Sequence, residues 1–187
     1  FNHQRFARPA VMDNLGLTEK RYIVFTLNRK AIIGNDDELR ALLVSMMSHT
    51  GDIPVVAPLR QLAADAVQCI VNENPLLFEN LHIVEPLDYL HFGYLTANAL
   101  GVVTDSGNVA EEATFNTVPC ITLNSYTEHI ETVKVGSNVL VGEDPVLLGE
   151  EMARMVDGKW KHCGIPERWD GRSAERIVQT LLECAAK

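Results

Sequence analysis

GVVTDSGNVAEEATF, residues 101–115, joins a buried strand to a helix through a tight polar turn. Val102 and Val103 lie in the strand, Asp105–Gly107 forms the turn, and Glu111 and Glu112 lie one turn into the helix. A strand that runs directly into a helix aims free backbone N–H groups and the positive end of the helix dipole at one point, which favours phosphate. A carboxylate one turn into the helix suits sugar hydroxyls. The pattern therefore predicts a site for a nucleotide or a sugar nucleotide.

Short apolar runs alternate with longer helical patterns on both sides of this stretch. Most of the runs are rich in Val and Ile and do not alternate with polar residues, as in strands that are covered on both faces. The β-α-β-α order without a hairpin signal predicts an α/β fold, a Rossmann-like doubly wound parallel sheet of about six strands with right-handed crossovers. The predicted strands are Tyr22–Phe25, Pro54–Ala57, Leu81–Glu85, Val102–Thr104, Cys120–Leu123 and Asn138–Val141.

Helical periodicity marks the segments between the strands. Apolar residues from Leu39 to Met47 recur at i, i+3, i+4, i+7 and i+8, and Asp144-Pro145 is a good start for a helix through Val156. We expect helix and loop in the first twenty residues, and a last helix capped by Asp170 or Ser173. We expect the apolar stripe of that helix to pack on the domain's own sheet; the alternative is an exposed stripe that drives self-association into a homodimer. Its residues are Ile177, Val178, Leu181 and Leu182.

Composition limits the class of protein. The 187 residues suffice for one domain, 1–187, and the 47% hydrophobic and 22% charged fractions are those of a globular protein. No apolar run approaches the roughly 20 residues of a membrane span, and the net charge of -9 argues against nucleic acid. The four cysteines lack a metal-binding spacing, so we expect reduced, mostly buried thiols in a cytoplasmic protein, and no metal. Because the chain starts at Phe1 without Met, we expect a fragment of a longer protein.

In a doubly wound sheet, ligands bind beyond the carboxyl ends of the strands. Arg29 and Lys30 are two cations at such an end and suit a diphosphate, Arg60 can clamp an anion, and His129 is suited to acid–base work. In each case a solvated surface residue is the alternative, and Asp105 or Ser106 can instead act only as a helix cap. The loops that qualify are Leu27–Asn35, Pro58–Ala63, Asp105–Asn108 and Asn124–Glu131.

A series of short motifs runs in order from Tyr22 to the C-terminus. They are T-L-N-R at Thr26–Arg29, P-V-V-A-P-L-R-Q-L-A at Pro54–Ala63, E-P-L-D-Y-L-H-F at Glu85–Phe92, T-D-S-G-N-V-A-E-E at Thr104–Glu112, T-E-H-I at Thr127–Ile130, L-V-G at Leu140–Gly142 and W-D-G-R-S-A-E-R-I at Trp169–Ile177. As a set they resemble the motifs of the non-hydrolysing UDP-N-acetylglucosamine 2-epimerases, although no single motif is specific.

The resemblance implies a fold, a reaction and a set of ligand contacts. The fold would be the C-terminal domain of a B-type glycosyltransferase-like protein, with the active site between it and an N-terminal domain. The reaction would interconvert UDP-N-acetylglucosamine and UDP-N-acetylmannosamine by elimination and re-addition of UDP, without a cofactor, in cell-wall polysaccharide biosynthesis. The positions that match family contacts are Arg29 in the first motif, Phe92 beside the uracil, Ser106 and Gly107 at the phosphates, and Glu112 at the ribose. Arg60 and His129 complete the predicted substrate-binding set because of their place in the ligand-facing loops.

Some positions depart from the family motifs. Asn28 replaces the histidine of the first motif and cannot shuttle a proton, so no catalytic residue is predicted within this chain. The alternatives to an epimerase are therefore a catalytically impaired nucleotide-sugar-binding protein and half of a B-type glycosyltransferase. The other departures are Arg60 for histidine, Asn108 for glycine, Ala110 for glutamine and His129 for arginine.

Overall fold

Six parallel strands form a single sheet with helices on both faces. The computed structural model describes residues 5–185, so the predicted helix and loop of the first twenty residues lies partly outside the described residues. The strand order is β3-β2-β1-β4-β5-β6, and every neighbouring pair is parallel. The strands are β1 (Ile23–Thr26), β2 (Val55–Pro58), β3 (Leu81–Val84), β4 (Gly101–Thr104), β5 (Cys120–Thr122) and β6 (Asn138–Leu140).

The sheet confirms all six predicted strands, with ends that differ by at most one residue, which is within the usual uncertainty at element ends. β1 and β4 are buried at every position, as expected for central strands that are covered by helices on both sides. Successive residues of a strand face opposite sides of the sheet. Val103 accordingly belongs to one apolar cluster and Val102 to the other.

The helices divide between the two faces of the sheet. The stripe from Leu39 to Met47 is buried as predicted, and Asp144 caps a helix that ends at Val156 as predicted. The helices are α1 (Ala10–Asn14), α2 (Lys30–Ile33), α3 (Asp36–Ser48), α4 (Gln61–Glu73), α5 (Tyr89–Ala97), α6 (Gly107–Phe115), α7 (Ile130–Lys134), α8 (Pro145–Val156) and α9 (Ser173–Ala185). One cluster packs α2, α3, α4 and α8 on the sheet, and the other packs α1, α5 and α6.

The strand order places a topological switch between β1 and β4. From β1 the chain continues outward to β2 and β3, then returns to β4 beside β1 and continues to β5 and β6 on the other side. The connections on the two sides of the switch diverge, which opens a crevice beyond the carboxyl ends of these two strands. The loops that begin at Leu27 and Asp105 therefore meet at this crevice.

Two sequence-based expectations are wrong. The apolar stripe of α9 does not pack on the sheet, because Ile177, Val178, Leu181 and Leu182 are each between 56% and 63% exposed. The cysteines are free but not mostly buried: Cys69 and Cys184 lie on exposed helix positions and Cys163 is partly exposed, so only Cys120 is buried. Helical spacing shows that a stripe exists but does not show what covers it.

Within residues 5–185, none of the helices has the length and apolarity needed to cross a membrane.

The exposed stripe predicts self-association. Replacing Leu181 with lysine is expected to reduce the concentration-dependent increase in mass, since a charge in an apolar contact loses its hydration. Light scattering across a concentration series measures the effect. Leu76→Lys is the matched control, because Leu76 is an 84% exposed leucine on a turn away from α9. A wild-type chain that stays monomeric at every concentration would contradict this prediction.

Candidate functional site

A cavity of about 390 Å³ opens at the switch between β1 and β4. Asn28 and Arg29 follow β1, Arg60 follows β2, and Asp105 and Ser106 follow β4, and all five line the cavity. Three loops that are far apart in sequence therefore present amide, guanidinium, carboxylate and hydroxyl groups to one space. This arrangement brings together three of the predicted ligand residues, namely Arg29, Arg60 and Ser106.

The turn before α6 forms the floor of this cavity. The N–H of Ser106 donates to Thr104 Oγ1 at 3.0 Å, and Thr104 Oγ1 lies 2.7 Å from Thr26 Oγ1 on the neighbouring strand. Ser106 occupies the N-cap position, but its hydroxyl makes no capping hydrogen bond. The amides of Gly107 and Asn108 fall in the first turn, where a helix offers no acceptor to its N–H groups. The hydroxyl and these amides make the turn suitable for an anion.

The two arginines of the cavity have different surroundings. Arg29 Nη1 donates to Leu123 O at 2.9 Å and to Asn124 Oδ1 at 2.7 Å, and Arg29 Nη2 pairs with Glu143 at 2.8 Å. Arg60 precedes α4 and is exposed, and within residues 5–185 its guanidinium has no ion-pair partner. Arg60 is therefore the cation of this cavity that can reorient toward a ligand, whereas Arg29 is held by the protein.

His129 lies beside the start of α6. Its Nδ1 is 3.1 Å from Glu111 Oε1, and both side chains are about one-third exposed, at 34% and 33%. A Cβ on Gly107 would lie 3.5 Å from His129 Cδ2, so the imidazole flanks the turn that carries the free amides. The structure thus gives Glu111 a partner within the fold and leaves Glu112 as the carboxylate of the pair that is open to a ligand.

Glu112 lines a second cavity of about 440 Å³ on the side of α6 that faces the C-terminal segment. Burial, and secondly the charge of Glu111, raises the pKa of Glu112. Trp169 and Arg168 close the other side of this cavity. In the sequence, Asp170 and Ser173 indicate only a cap of the last helix, and nothing local to Trp169 or Glu112 indicates that these two residues share a cavity.

Phe92 lies apart from these groups. It is on the first turn of α5, half-buried against the apolar cluster that contains Val24 and Leu95. Among the described residues that line the two cavities, Phe92 is absent. Its role beside a uracil stays a prediction.

The match to known proteins covers nearly the whole chain. A family model described as UDP-N-acetylglucosamine 2-epimerase matches residues 2–182. The chain belongs to this family. A UDP-N-acetylglucosamine 2-epimerase homolog of Methanococcus maripaludis is 32% identical over 172 residues, which cover 91% of this chain and 47% of that protein.

Solved structures of the epimerase family show the same fold. The UDP-GlcNAc 2-epimerase of Methanocaldococcus jannaschii in complex with UDP-GlcNAc and UDP is 30% identical, with a TM-score of 0.72 over 94% of this chain and 49% of that chain. The E. coli heptosyltransferase WaaC is 13% identical, with a TM-score of 0.53 over 75% of this chain and 44% of its own, and shows likeness of fold alone. The prediction of a Rossmann-like half of the B-type glycosyltransferase architecture is confirmed, and this epimerase-family chain spans about half the length of these relatives.

Proposed function

We propose that this chain binds the UDP part of a UDP-sugar. The observation that carries the proposal is the cavity at the β1–β4 switch, where Arg60 and Ser106 line one space and Ser106 directly precedes the first turn of α6. The M. jannaschii relative, which shares this fold, was solved with UDP-GlcNAc and UDP. A diphosphate needs several converging donors and a cation, and this cavity provides both.

In the proposed complex the diphosphate lies on the turn between β4 and α6. The amides of Gly107 and Asn108 and the Ser106 hydroxyl donate to phosphate oxygens, and Arg60 neutralises their charge. Glu112 accepts hydrogen bonds from the ribose hydroxyls in the adjoining cavity. His129 lies beside the same turn, where its imidazole is within reach of a bound anion.

For the whole protein we propose an isomerase that interconverts UDP-N-acetylglucosamine and UDP-N-acetylmannosamine by elimination and re-addition of UDP. The proposal rests on the family and on the length of the relatives, of which this chain spans about half. The other half would complete the cleft and supply the acid–base groups. The same proposal includes a homodimer, a cytoplasmic location, and a role in supplying cell-wall polysaccharide synthesis. No cofactor or metal is part of it.

A binding protein without turnover is the second candidate. The observation in its favour is Asn28, which lines the phosphate cavity at the position of the family histidine but carries no titratable group. Sustained epimerisation by the longer protein would exclude this candidate, whereas UDP binding without turnover would support it.

Calorimetry with UDP tests the proposed function directly. The chain is expected to bind UDP, and in an NMR titration the amide signals of Ser106, Gly107 and Glu112 are expected to shift. ADP at the same concentrations is the control for general anion binding. The absence of heat and of shifts at millimolar UDP would contradict the proposal.

Glu112→Gln is expected to increase stability while it decreases UDP affinity. Because its pKa is raised in the folded state, the folded protein holds the Glu112 proton more tightly than the unfolded chain, so stability is lost as the pH rises through the folded pKa. Glutamine removes that loss, so the melting temperature should rise at pH 8, with a gain that vanishes near pH 4, where the carboxyl is protonated in both states. UDP affinity should fall about tenfold, because the neutral amide oxygen of glutamine is a weaker acceptor than a carboxylate and the amide NH2 group cannot accept a second ribose hydroxyl.

Thermal melts and UDP titrations at both pH values measure the two effects. Glu150→Gln is the matched control, since Glu150 is an exposed glutamate on α8 and is expected to change neither quantity. A Glu112→Gln variant that melts below the wild type at pH 8 would contradict the stability prediction.

A further inference from the structure

Asp105, Arg29 and Asn124 form a closed ring of hydrogen bonds above the carboxyl ends of three neighbouring strands. Asp105 Oδ2 accepts from the backbone N–H of Arg29 at 2.6 Å and from that of Asn28 at 2.7 Å. Arg29 Nη1 donates to Asn124 Oδ1 at 2.7 Å, and Asn124 Nδ2 donates to the carbonyl of Asp105 at 3.1 Å. The ring joins the loops after β1, β4 and β5.

The ring lies just beyond the last paired residues of the strands. The parallel register ends at Thr26, Thr104 and Thr122, and within residues 5–185 no backbone–backbone hydrogen bond joins the loop after β1 to the loops after β4 and β5. Glu143, which follows β6, pairs with Arg29 and extends the connection to a fourth strand end. The loop after β1 is therefore joined to the loops after β4 and β5 through the side chains of Asp105 and Arg29.

Burial of the Asp105 carboxylate costs the folded state free energy. Its side chain is only 6% exposed, and within residues 5–185 its Oδ1 atom is buried without a hydrogen-bond partner. A buried carboxylate costs free energy unless it is well bonded, and one of its two oxygens is not bonded here. A residue chosen only for stability would not need this charge, so the cost points to a role in the site.

The ring also explains why the two cations of the cavity differ. Arg29 turns its guanidinium toward Leu123, Asn124 and Glu143, and its own amide is held by Asp105. The N–H groups of Arg29 therefore hold neighbouring loops together. Arg60, which has no such partners in the described chain, is left for the phosphates.

We propose that Asp105 is a positioning residue for UDP. Through the ring it sets the backbone of Asn28 and Arg29 and the turn at Ser106 before the ligand arrives, so binding does not have to pay for ordering these loops. The inference rests on the proposed function, because it concerns the affinity of the same cavity for UDP.

Asp105→Ala, Asp105→Asn and Asn124→Ala test the ring. UDP affinity is measured by calorimetry at a temperature where thermal melts show each variant fully folded. Asp105→Ala is expected to weaken binding about tenfold, and Asp105→Asn should restore most of that loss because its side-chain oxygen can still accept both amides. In ¹⁵N spectra the amide signals of Asn28 and Arg29 should move in the alanine variant and return toward their wild-type positions in the asparagine variant.

Asp144→Ala is the matched control. Asp144 also accepts from two backbone amides, those of Val146 and Leu147, at the start of α8. Its replacement should lower the melting temperature and leave UDP affinity unchanged. An equal loss of affinity in Asp105→Ala and Asp144→Ala would overturn the proposal, because it would reflect general loss of stability.

Three further outcomes would contradict either this proposal or the proposed function. A folded Asp105→Ala variant that binds UDP as tightly as the wild type would overturn the proposal. If Asp105→Ala does not fold, Asn124→Ala opens the same ring at the two bonds that Asn124 makes, and unchanged UDP affinity in that variant would overturn it. A wild-type chain that does not bind UDP would instead contradict the proposed function, and the amide signals of Asn28 and Arg29 would still show whether Asp105 holds the loop.

Discussion

Arg60→Glu is expected to weaken UDP binding about 100-fold. The substitution removes charge-assisted hydrogen bonds worth about 1.5–3 kcal/mol and adds a like charge beside the diphosphate, and each 1.4 kcal/mol is about a factor of ten. The effect should be large because Arg60 is the arginine of the cavity that the fold leaves without a partner within residues 5–185. Calorimetric titration with UDP at 0.1 M salt measures it.

Arg21→Glu is the control for net charge. Arg21 is exposed and precedes β1, at the opposite edge of the sheet from the cavity, so its reversal changes the net charge equally but touches no proposed phosphate contact. We expect it to change UDP affinity by less than about twofold, since screening limits charge effects beyond about 10 Å at 0.1 M salt. Similar losses in the two variants would show that Arg60 acts only through the overall field.

Gly136→Ala is expected to lower the free energy of unfolding by about 2–3 kcal/mol, the usual cost of overpacking a filled interior. A Cβ at this position would lie 2.6 Å from Thr114 Oγ1 and 2.7 Å from the carbonyl oxygen of Thr132. Thr114 is fully buried on α6, and the Thr132 oxygen belongs to the backbone, so neither can move away cheaply. The strain should reach the helix that carries the proposed phosphate turn.

Thermal or urea unfolding measures the loss, which corresponds to a decrease of about 8 °C in melting temperature for a domain of this size. Gly164→Ala is the matched control, because a Cβ there meets no heavy atom within 4 Å and its φ is not in the left-handed region. The control is expected to leave the melting temperature unchanged within about 1 °C. Equal melting temperatures for the two variants would contradict the predicted contact at Gly136.

Much of the fold could be predicted because its signals are local. Val102 and Val103 show a covered strand by composition, Asp144-Pro145 shows a helix start by capping chemistry, and the stripe from Leu39 to Met47 shows a helix face by its period. Each signal depends on residues within one or two turns of each other. The exposure of Leu181 could not be predicted in this way, since a periodic stripe is the same whether a sheet, a partner or solvent lies against it.

The candidate site was likewise predictable only where its signals are local. The sequence by itself determined that Ser106 and Gly107 lie in a turn before a helix that is suited to an anion, because a strand that enters a helix leaves its first amides unpaired. Only the tertiary structure decided the strand order β2-β1-β4-β5, which brings Arg60 to that turn and joins Asp105 to Arg29 and Asn124. The packing of the C-terminal segment places Trp169 opposite Glu112. The physical reason is that strand order and loop pairing depend on the packing of segments that are far apart in the chain, such as the 95 residues between Arg29 and Asn124.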